Sequence, residues 1–372
     1  MLEIKNIKEA GDLAGKKVIA RLDLNVPIEN DQITDDFRIL KLLPTIQYLR
    51  ENGAITLIIS HLDAEGETLE VIGNYLNEKF PITFLKDLFS AETEKKIQEA
   101  KAGDVFLFEN IRQYPEEEKN DEEFAKRIAR LGDLYLNDAF PVCHRCHASV
   151  VGVPKFLPHY AGFQLQKEIE HLSLSENPER PFLFILGGAK FSTKLPLIQK
   201  FLDRADYCFV AGALSNDFFK EKGWEVGISL TDPTPFDPKM LENPKLILPA
   251  EVMTKNGDQI VPKKPSELNK EDKIVDAGPA VLEQLRELIQ KSKLIIWNGP
   301  LGYYEDGFDQ PTKDLAKLIA ESVATSIIGG GDTIAAIESL GLQDKFTFVS
   351  TGGGAMLDFL LDDTLPGIEA LK

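Results

Sequence analysis

Only three cysteines, Cys143, Cys146 and Cys208, occur in 372 residues. That is too few for a disulfide framework and fits a reducing compartment. No apolar stretch approaches the roughly 18 residues that a membrane-spanning helix needs. The opening residues, Met1-Leu2-Glu3-Ile4-Lys5, lack an apolar signal core, so no secretory signal is expected and a cytoplasmic location is. Basic residues are scarce: 42 Lys and Arg stand against 60 Asp and Glu, a net charge of −18. A chain this acidic repels nucleic acid and anionic membranes, so neither is an expected partner. The standard nucleotide signatures are missing too. No G-x-x-x-x-G-K-[ST] occurs, no G-x-G-x-x-G follows the first apolar run, and the protein-kinase set is absent. A P-loop enzyme, a dinucleotide dehydrogenase and a protein kinase are thereby excluded.

What is present is a series of short apolar runs, at 18–20, 55–59, 105–108, 134–136, 182–186, 207–210, 246–248, 294–297, 326–328 and 346–349. Few alternate with polar residues, which predicts strands buried on both faces of a parallel sheet. Helical patterns lie between them. Leu282, Leu285 and Leu288 recur behind Gly278-Pro279, a helix-start signal. Leu315, Leu318 and Ile319 mark another helix, with Thr312 as its expected cap. The alternation predicts an α/β protein with two parallel sheets. Pro154, Pro158, Pro178 and Pro181 bracket a polar helical stretch at 164–171, which reads as a helix connecting two lobes.

Open parallel sheets bind ligands at the carboxyl ends of their strands. In the first half those ends carry Arg21, Asp23 and Asn25, then Ser60-His61, then Glu109-Asn110-Ile111-Arg112, then Asn137-Asp138 with His144, Arg145 and His147 beyond; Arg38 follows the first loop. Arg forks match carboxylate and phosphate, so this set predicts a site for a small polyanion. In the second half the ends are glycine-rich: Gly187-Gly188-Ala189-Lys190, Ala211-Gly212-Ala213, Asn298-Gly299-Pro300, Gly329 to Thr333, and Thr351 to Gly354. Glycine admits close backbone approach, and amides at a following helix N-terminus bind phosphate. Lys190 and Lys194 add point charges, and Asp332 can hold Mg²⁺ against phosphate oxygens. A competing reading rests on Cys143-His144-Arg145-Cys146-His147, a C-x-x-C-H pattern that in exported proteins attaches haem and elsewhere suggests a metal.

Nine of these segments, in order along nearly the whole chain, resemble the phosphoglycerate kinase family. They are Arg21 to Pro27, Ser60-His61-Leu62, Glu109 to Arg112, Asn137 to Phe140, His144 to His147, Leu186 to Lys190, Trp297 to Gly302, Gly329 to Thr333 and Ser350 to Ala355. The resemblance implies two Rossmann-like lobes, joined by the connecting helix, with the active-site cleft between them. Their expected limits are 1–160 and 161–354, with the tail from about 355 to 372 packing back on the first lobe. It implies a monomer that reversibly transfers a phosphoryl group between 1,3-bisphosphoglycerate and ADP, with Mg²⁺. Arg21, Asp23, Asn25, Arg38, His61, Arg112, His144, Arg145 and His147 would hold the phosphoglycerate. Gly187, Gly188, Lys190, Lys194, Gly212, Asn298, Glu305, Gly330, Gly331, Asp332 and Thr333 would hold the nucleotide, with Asp332 on Mg²⁺ and Glu305 near the ribose. Arg38, Lys194 and the amides of Gly352 and Gly353 would stabilise the transferring group.

The chain departs from the family at Leu62-Asp63-Ala64-Glu65, where Leu-Gly-Arg-Pro is usual. One charge-assisted contact is lost, which predicts phosphoglycerate binding about 10- to 100-fold weaker. Ala211 to Ser215 replaces a more glycine-rich segment near the nucleobase, Pro141-Val142 replaces Gly-Thr, and Thr193 stands where Asp is frequent. These departures leave a second reading, a non-catalytic or altered-specificity relative that binds phosphoglycerate or nucleotide.

Overall fold

Continuous apolar runs bury their strands on both faces, and two six-stranded parallel sheets result. The computed structural model describes residues 4–63 and 67–372. Two of the departures named above, Ala64 and Glu65, and the first residues Met1 to Glu3, lie outside them. The first sheet contains β1 (Lys17–Leu22), β2 (Ile55–Ile59), β3 (Thr83–Leu85), β4 (Val105–Phe108), β5 (Leu134–Asp138) and β6 (His159–Ala161), in the order β3-β4-β2-β1-β5-β6. The second contains β7 (Phe182–Leu186), β8 (Tyr207–Val210), β9 (Leu246–Ile247), β10 (Leu294–Asn298), β11 (Thr325–Gly329) and β12 (Phe348–Val349), in the order β9-β8-β7-β10-β11-β12. This second order is the doubly wound arrangement of dinucleotide folds. Ala20 of β1 pairs with Ile58 and Leu136, and Ile296 of β10 pairs with Phe184 and Ile327.

Contacts divide the chain into two compact units, Met1–Glu170 with Thr364–Lys372, and His171–Asp363. The dividing line falls inside the helix Phe163–Leu172. That helix starts on Asp138 at the end of β5, whose carboxylate accepts from the Leu165 amide at 2.7 Å and the Thr45 hydroxyl at 2.6 Å. Within the first unit the final helix, Pro366–Glu369, packs on the segment after β5, where the Gly367 amide donates to the Cys143 carbonyl at 2.8 Å.

Two helix expectations change. In the helix Pro279–Lys291 the buried face is Val281, Leu285 and Ile289, an i, i+4 row, while Leu282 and Leu288 are half-buried. Thr312 is no cap. The helix Gln310–Ala320 starts earlier, and the buried Thr312 hydroxyl accepts from the Leu301 amide at 2.9 Å instead, pinning the loop after β10. A small antiparallel sheet, Val252–Asn256, Gln259–Lys263 and Lys273–Ala277, has no counterpart among the apolar runs. Its first two strands are partly exposed and polar, while Lys273–Ala277 is buried but short in its apolar run; the signal for the pair was the Gly257-Asp258 hairpin turn, where Gly257 has φ +56°.

Candidate active site

Strand order decides where loops gather. In each sheet the order reverses once, between β1 and β5 in the first and between β7 and β10 in the second. A crevice opens at the carboxyl ends there. At the first reversal lie Asp23, Asn25, His61 and the Arg-His segment; at the second lie Gly187-Gly188 and Asn298-Gly299-Pro300.

In the first unit Arg21 is buried, 1% exposed. Its Nε donates to Ser149 Oγ at 2.8 Å, one Nη to the Leu22 carbonyl at 2.6 Å, and the other Nη lies 3.1 Å from His61 Nδ1. Arg cannot accept, so Nδ1 is the acceptor and the His61 proton sits on Nε2, which is left as a donor. Burial first, and then Arg21, Arg112 and Arg38, push the His61 pKa well below the usual histidine value. His147 is held down to about 4, by burial and then by Arg112 and Arg21. Both imidazoles are neutral near pH 7, so the fixed positive charge is guanidinium. Such a site favours an anion and resists a further cation.

Arg38 donates to the Asn25 carbonyl at 2.9 Å and meets Asp23 at 3.3 Å. Asp23 also accepts from the Asn25 amide at 3.1 Å. The loop after β1 is therefore braced by Arg38 from the helix Phe37–Glu51. Arg112 pairs with Asp63 and has Glu118 at 3.8 Å. Arg145 is exposed and His144 half-buried. Behind them Glu117 is fully buried and accepts from the Ser149 amide at 2.8 Å and the Ser149 hydroxyl at 2.5 Å. Burial raises its carboxyl, against the pull of Arg21. Ser149 thus links Glu117 to Arg21. The cysteines of the C-x-x-C-H run do not face a common ligand. Cys143 Sγ is buried and donates to the Ala139 carbonyl at 3.4 Å, its thiol pushed up to about 12 by burial, while Cys146 is exposed. Among the described residues no group of three or more His, Cys, Asp or Glu could hold a metal ion.

In the second unit a cavity of about 300 Å³ is lined by Gly188, Gly212, Asn216, Asp276, Pro300, Tyr303, Tyr304, Glu305 and Asp332, among others. Glycine is required beside it: a Cβ on Gly187, next to the lining Gly188, would collide with the Pro300 carbonyl. The helices Phe191–Arg204, Gly331–Ser339 and Gly354–Asp362 start at Lys190, Gly330 and Gly353, none with a side-chain cap. Free first-turn amides are phosphate donors; in the first of these helices the Ser192 amide is instead engaged by the Asp232 carboxylate at 3.1 Å. Gly330 has φ +98°, so a side chain there would strain that start. Lys194, half-buried, donates to the Gly187 carbonyl at 2.7 Å. Burial lowers its ammonium to about 8, with Asp332 opposing the shift. Thr333 and Asn298 are buried, and the Thr333 hydroxyl accepts from the Gly299 amide at 3.0 Å. Lys190 and Glu305 are exposed. The pattern of apolar runs and glycines missed Asp276, which lines the cavity and whose carboxyl burial raises to about 7. A lone acid inside an apolar strand offers no distinctive signal.

These two shifts set a pH dependence. As pH rises through about 7, Asp276 becomes an anion; through about 8, Lys194 loses its charge. Both changes disfavour a polyphosphate. For a substrate that brings a polyphosphate to this cavity, kcat/KM, which reports the free protein, is expected to fall over that window. Asp276→Asn should remove the lower step and leave the upper one; a pH profile indifferent to both residues would contradict the assignment.

The family model described as phosphoglycerate kinase matches residues 7–363. A phosphoglycerate kinase of Dictyoglomus turgidum is 43% identical over 97% of this chain and 96% of its own length. One of Thermosipho africanus is 42% identical over 97% and 96%. Among solved structures, phosphoglycerate kinase from Coxiella burnetii superposes with a TM-score of 0.86 at 34% identity, covering 99% of both chains. That from Pyrococcus horikoshii OT3 gives 0.87 at 31%, covering 99% and 98%.

Proposed function

The chain belongs to the phosphoglycerate kinase family, and on that premise we infer that its guanidinium-rich site holds phosphoglycerate and its glycine-loop cavity holds ADP or ATP. The reaction is the glycolytic transfer of a phosphoryl group between 1,3-bisphosphoglycerate and ADP, giving 3-phosphoglycerate and ATP. The observation that carries the residue assignments is the pairing of chemistries at the two sheet reversals: fixed guanidinium around neutral histidines in one unit, Lys194 with the glycine-capped helix starts at Gly330 and Gly353 in the other.

No covalent protein intermediate is needed. A β-phosphate oxygen of ADP attacks the acyl phosphate, the P–O bond to the carboxyl breaks, and 3-phosphoglycerate leaves as its carboxylate. Catalysis is positioning and charge stabilisation, which requires the two ligands in line. Arg38 and Lys194 neutralise the transferring group, and the amide of Gly353 adds a donor; the Gly352 amide, also expected there, donates to Ser350 Oγ at 3.1 Å and would have to be released first. His61 donates through Nε2 to the substrate anion. Arg21, buried and donating to Ser149, the Leu22 carbonyl and His61, positions His61.

Asp332 fits Mg²⁺: a half-exposed carboxylate in the first turn of Gly331–Ser339, lining the cavity. Mg²⁺ is typically held by one or two carboxylates plus substrate phosphates and keeps several waters. When bound it neutralises phosphate oxygens. Asp332→Asn should raise the Mg²⁺ concentration for half-maximal activity several-fold, read by metal titration at fixed ATP; an unchanged titration curve removes Asp332 from that role. Among the described residues no helix is long and apolar enough to cross a membrane. The proposal extends to a cytoplasmic monomer, which sedimentation would check.

The test of the whole reading is a coupled assay with 3-phosphoglycerate, Mg²⁺ and ATP, run beside other nucleotides and other phosphorylated acids. Turnover with 3-phosphoglycerate is expected. Binding of ligands without turnover would favour the non-catalytic reading.

A further inference from the structure

The loop after β2 places an acid on the donors of the anion site. One carboxylate oxygen of Asp63 meets Arg112 Nη1; the other accepts from Asn25 Nδ2 at 2.7 Å. The Asp63 amide in turn donates to Asn25 Oδ1 at 3.2 Å. A two-oxygen anion bridging a guanidinium and an amide is the arrangement a substrate carboxylate or phosphate would adopt there.

We propose that Asp63 sets substrate affinity by acting as a built-in competitor: its carboxylate occupies Arg112 and Asn25 in the free protein, and the substrate anion must displace it. The proposal rests on the reading of these two residues as phosphoglycerate ligands. The pair is asymmetric. The Asp63 side chain is 64% exposed and that of Arg112 19%. Asp63 is therefore held by its polar contacts rather than by packing, and can swing into water without opening a cavity. Arg112 stays, anchored in the strand-end loop. Its Nε is buried, 3.8 Å from Glu118, which holds that edge of the guanidinium against the protein and leaves the Nη edge on Asp63. A tethered carboxylate has a high effective concentration at these donors and competes with a dissolved one without exceptional strength.

The test compares the wild type with Asp63→Ala and Asp63→Asn by calorimetric titration of 3-phosphoglycerate, with steady-state KM values for both substrates. Removing the competitor should lower the Kd for 3-phosphoglycerate by about 2- to 5-fold in the alanine variant, as befits a half-exposed ion pair. The asparagine variant, which keeps polarity but loses charge, should fall between. The KM for phosphoglycerate should follow the Kd, and the KM for nucleotide should stay in place. An unchanged or weaker Kd in Asp63→Ala overturns the proposal, the latter showing that Asp63 orients Arg112 for the substrate. A wild type that binds no 3-phosphoglycerate overturns the phosphoglycerate assignment itself.

Discussion

Lys194→Ala is expected to lower the turnover number by about 10²- to 10³-fold, the usual cost of one lost charge-stabilising donor at a reacting centre. KM values should move little. The lysine stands in the first turn of the helix Phe191–Arg204, with its ammonium fixed 2.7 Å from the Gly187 carbonyl. Burial has stripped enough water from it to bring its pKa to about 8. A partly desolvated cation interacts more strongly with charge that develops during transfer than with charge already shielded in the ground state. The loss should therefore appear in kcat. Lys194→Arg keeps the charge but replaces a compact ammonium with a planar fork, so only partial recovery is expected. The measurement is steady-state kinetics in both directions; turnover within a factor of a few of wild type would remove Lys194 from the chemistry.

Arg21→Ala is expected to destabilise the first unit by about 3–5 kcal/mol, the range for breaking a buried charged network by deleting one partner. Three contacts disappear together, to Ser149, the Leu22 carbonyl and His61. Glu117, buried beyond Ser149, loses the nearby positive charge that offsets its burial. Arg21→Lys should recover little, because one ammonium cannot span acceptors arranged for a fork. The chain offers a selective readout. Its two tryptophans, Trp224 and Trp297, both lie in the second unit. In urea the tryptophan fluorescence transition should stay near its wild-type midpoint, while the circular dichroism change from the first unit moves to lower denaturant. Coincident, unshifted transitions would show that the guanidinium contributes nothing to the fold. Loss of phosphoglycerate affinity should accompany the destabilisation, because His61 no longer has Nδ1 held.

The second prediction separates two arginines that look alike in sequence. Arg21 and Arg38 both fall near the first strand end and were both expected to touch substrate. Arg21 sits within β1 and turns inward among residues up to 128 positions away, whereas Arg38 reaches the same loop from a helix and remains partly exposed. Local pattern carries no information about which way a strand-end side chain turns. The same limit hid the small antiparallel sheet, two of whose strands are partly exposed and polar, and changed the stripe of the helix Pro279–Lys291 from the i, i+3 row Leu282, Leu285 and Leu288 to the i, i+4 row Val281, Leu285 and Ile289 that its neighbours could bury.

By itself the sequence determined the class of the fold and the chemistry at its strand ends. Uninterrupted apolar runs can be buried only on two faces, and glycines or Arg and His directly after them define what a ligand there must be. Tertiary structure alone decided the rest. It set the strand orders that place Gly187 beside Asn298 and Arg21 beside His61, the burial that neutralises both histidines, and the seat of Asp63 on Arg112. Each of these joins residues tens of positions apart. Their energies come from desolvation and charge in a shared enclosure, which exists only once the sheets have formed.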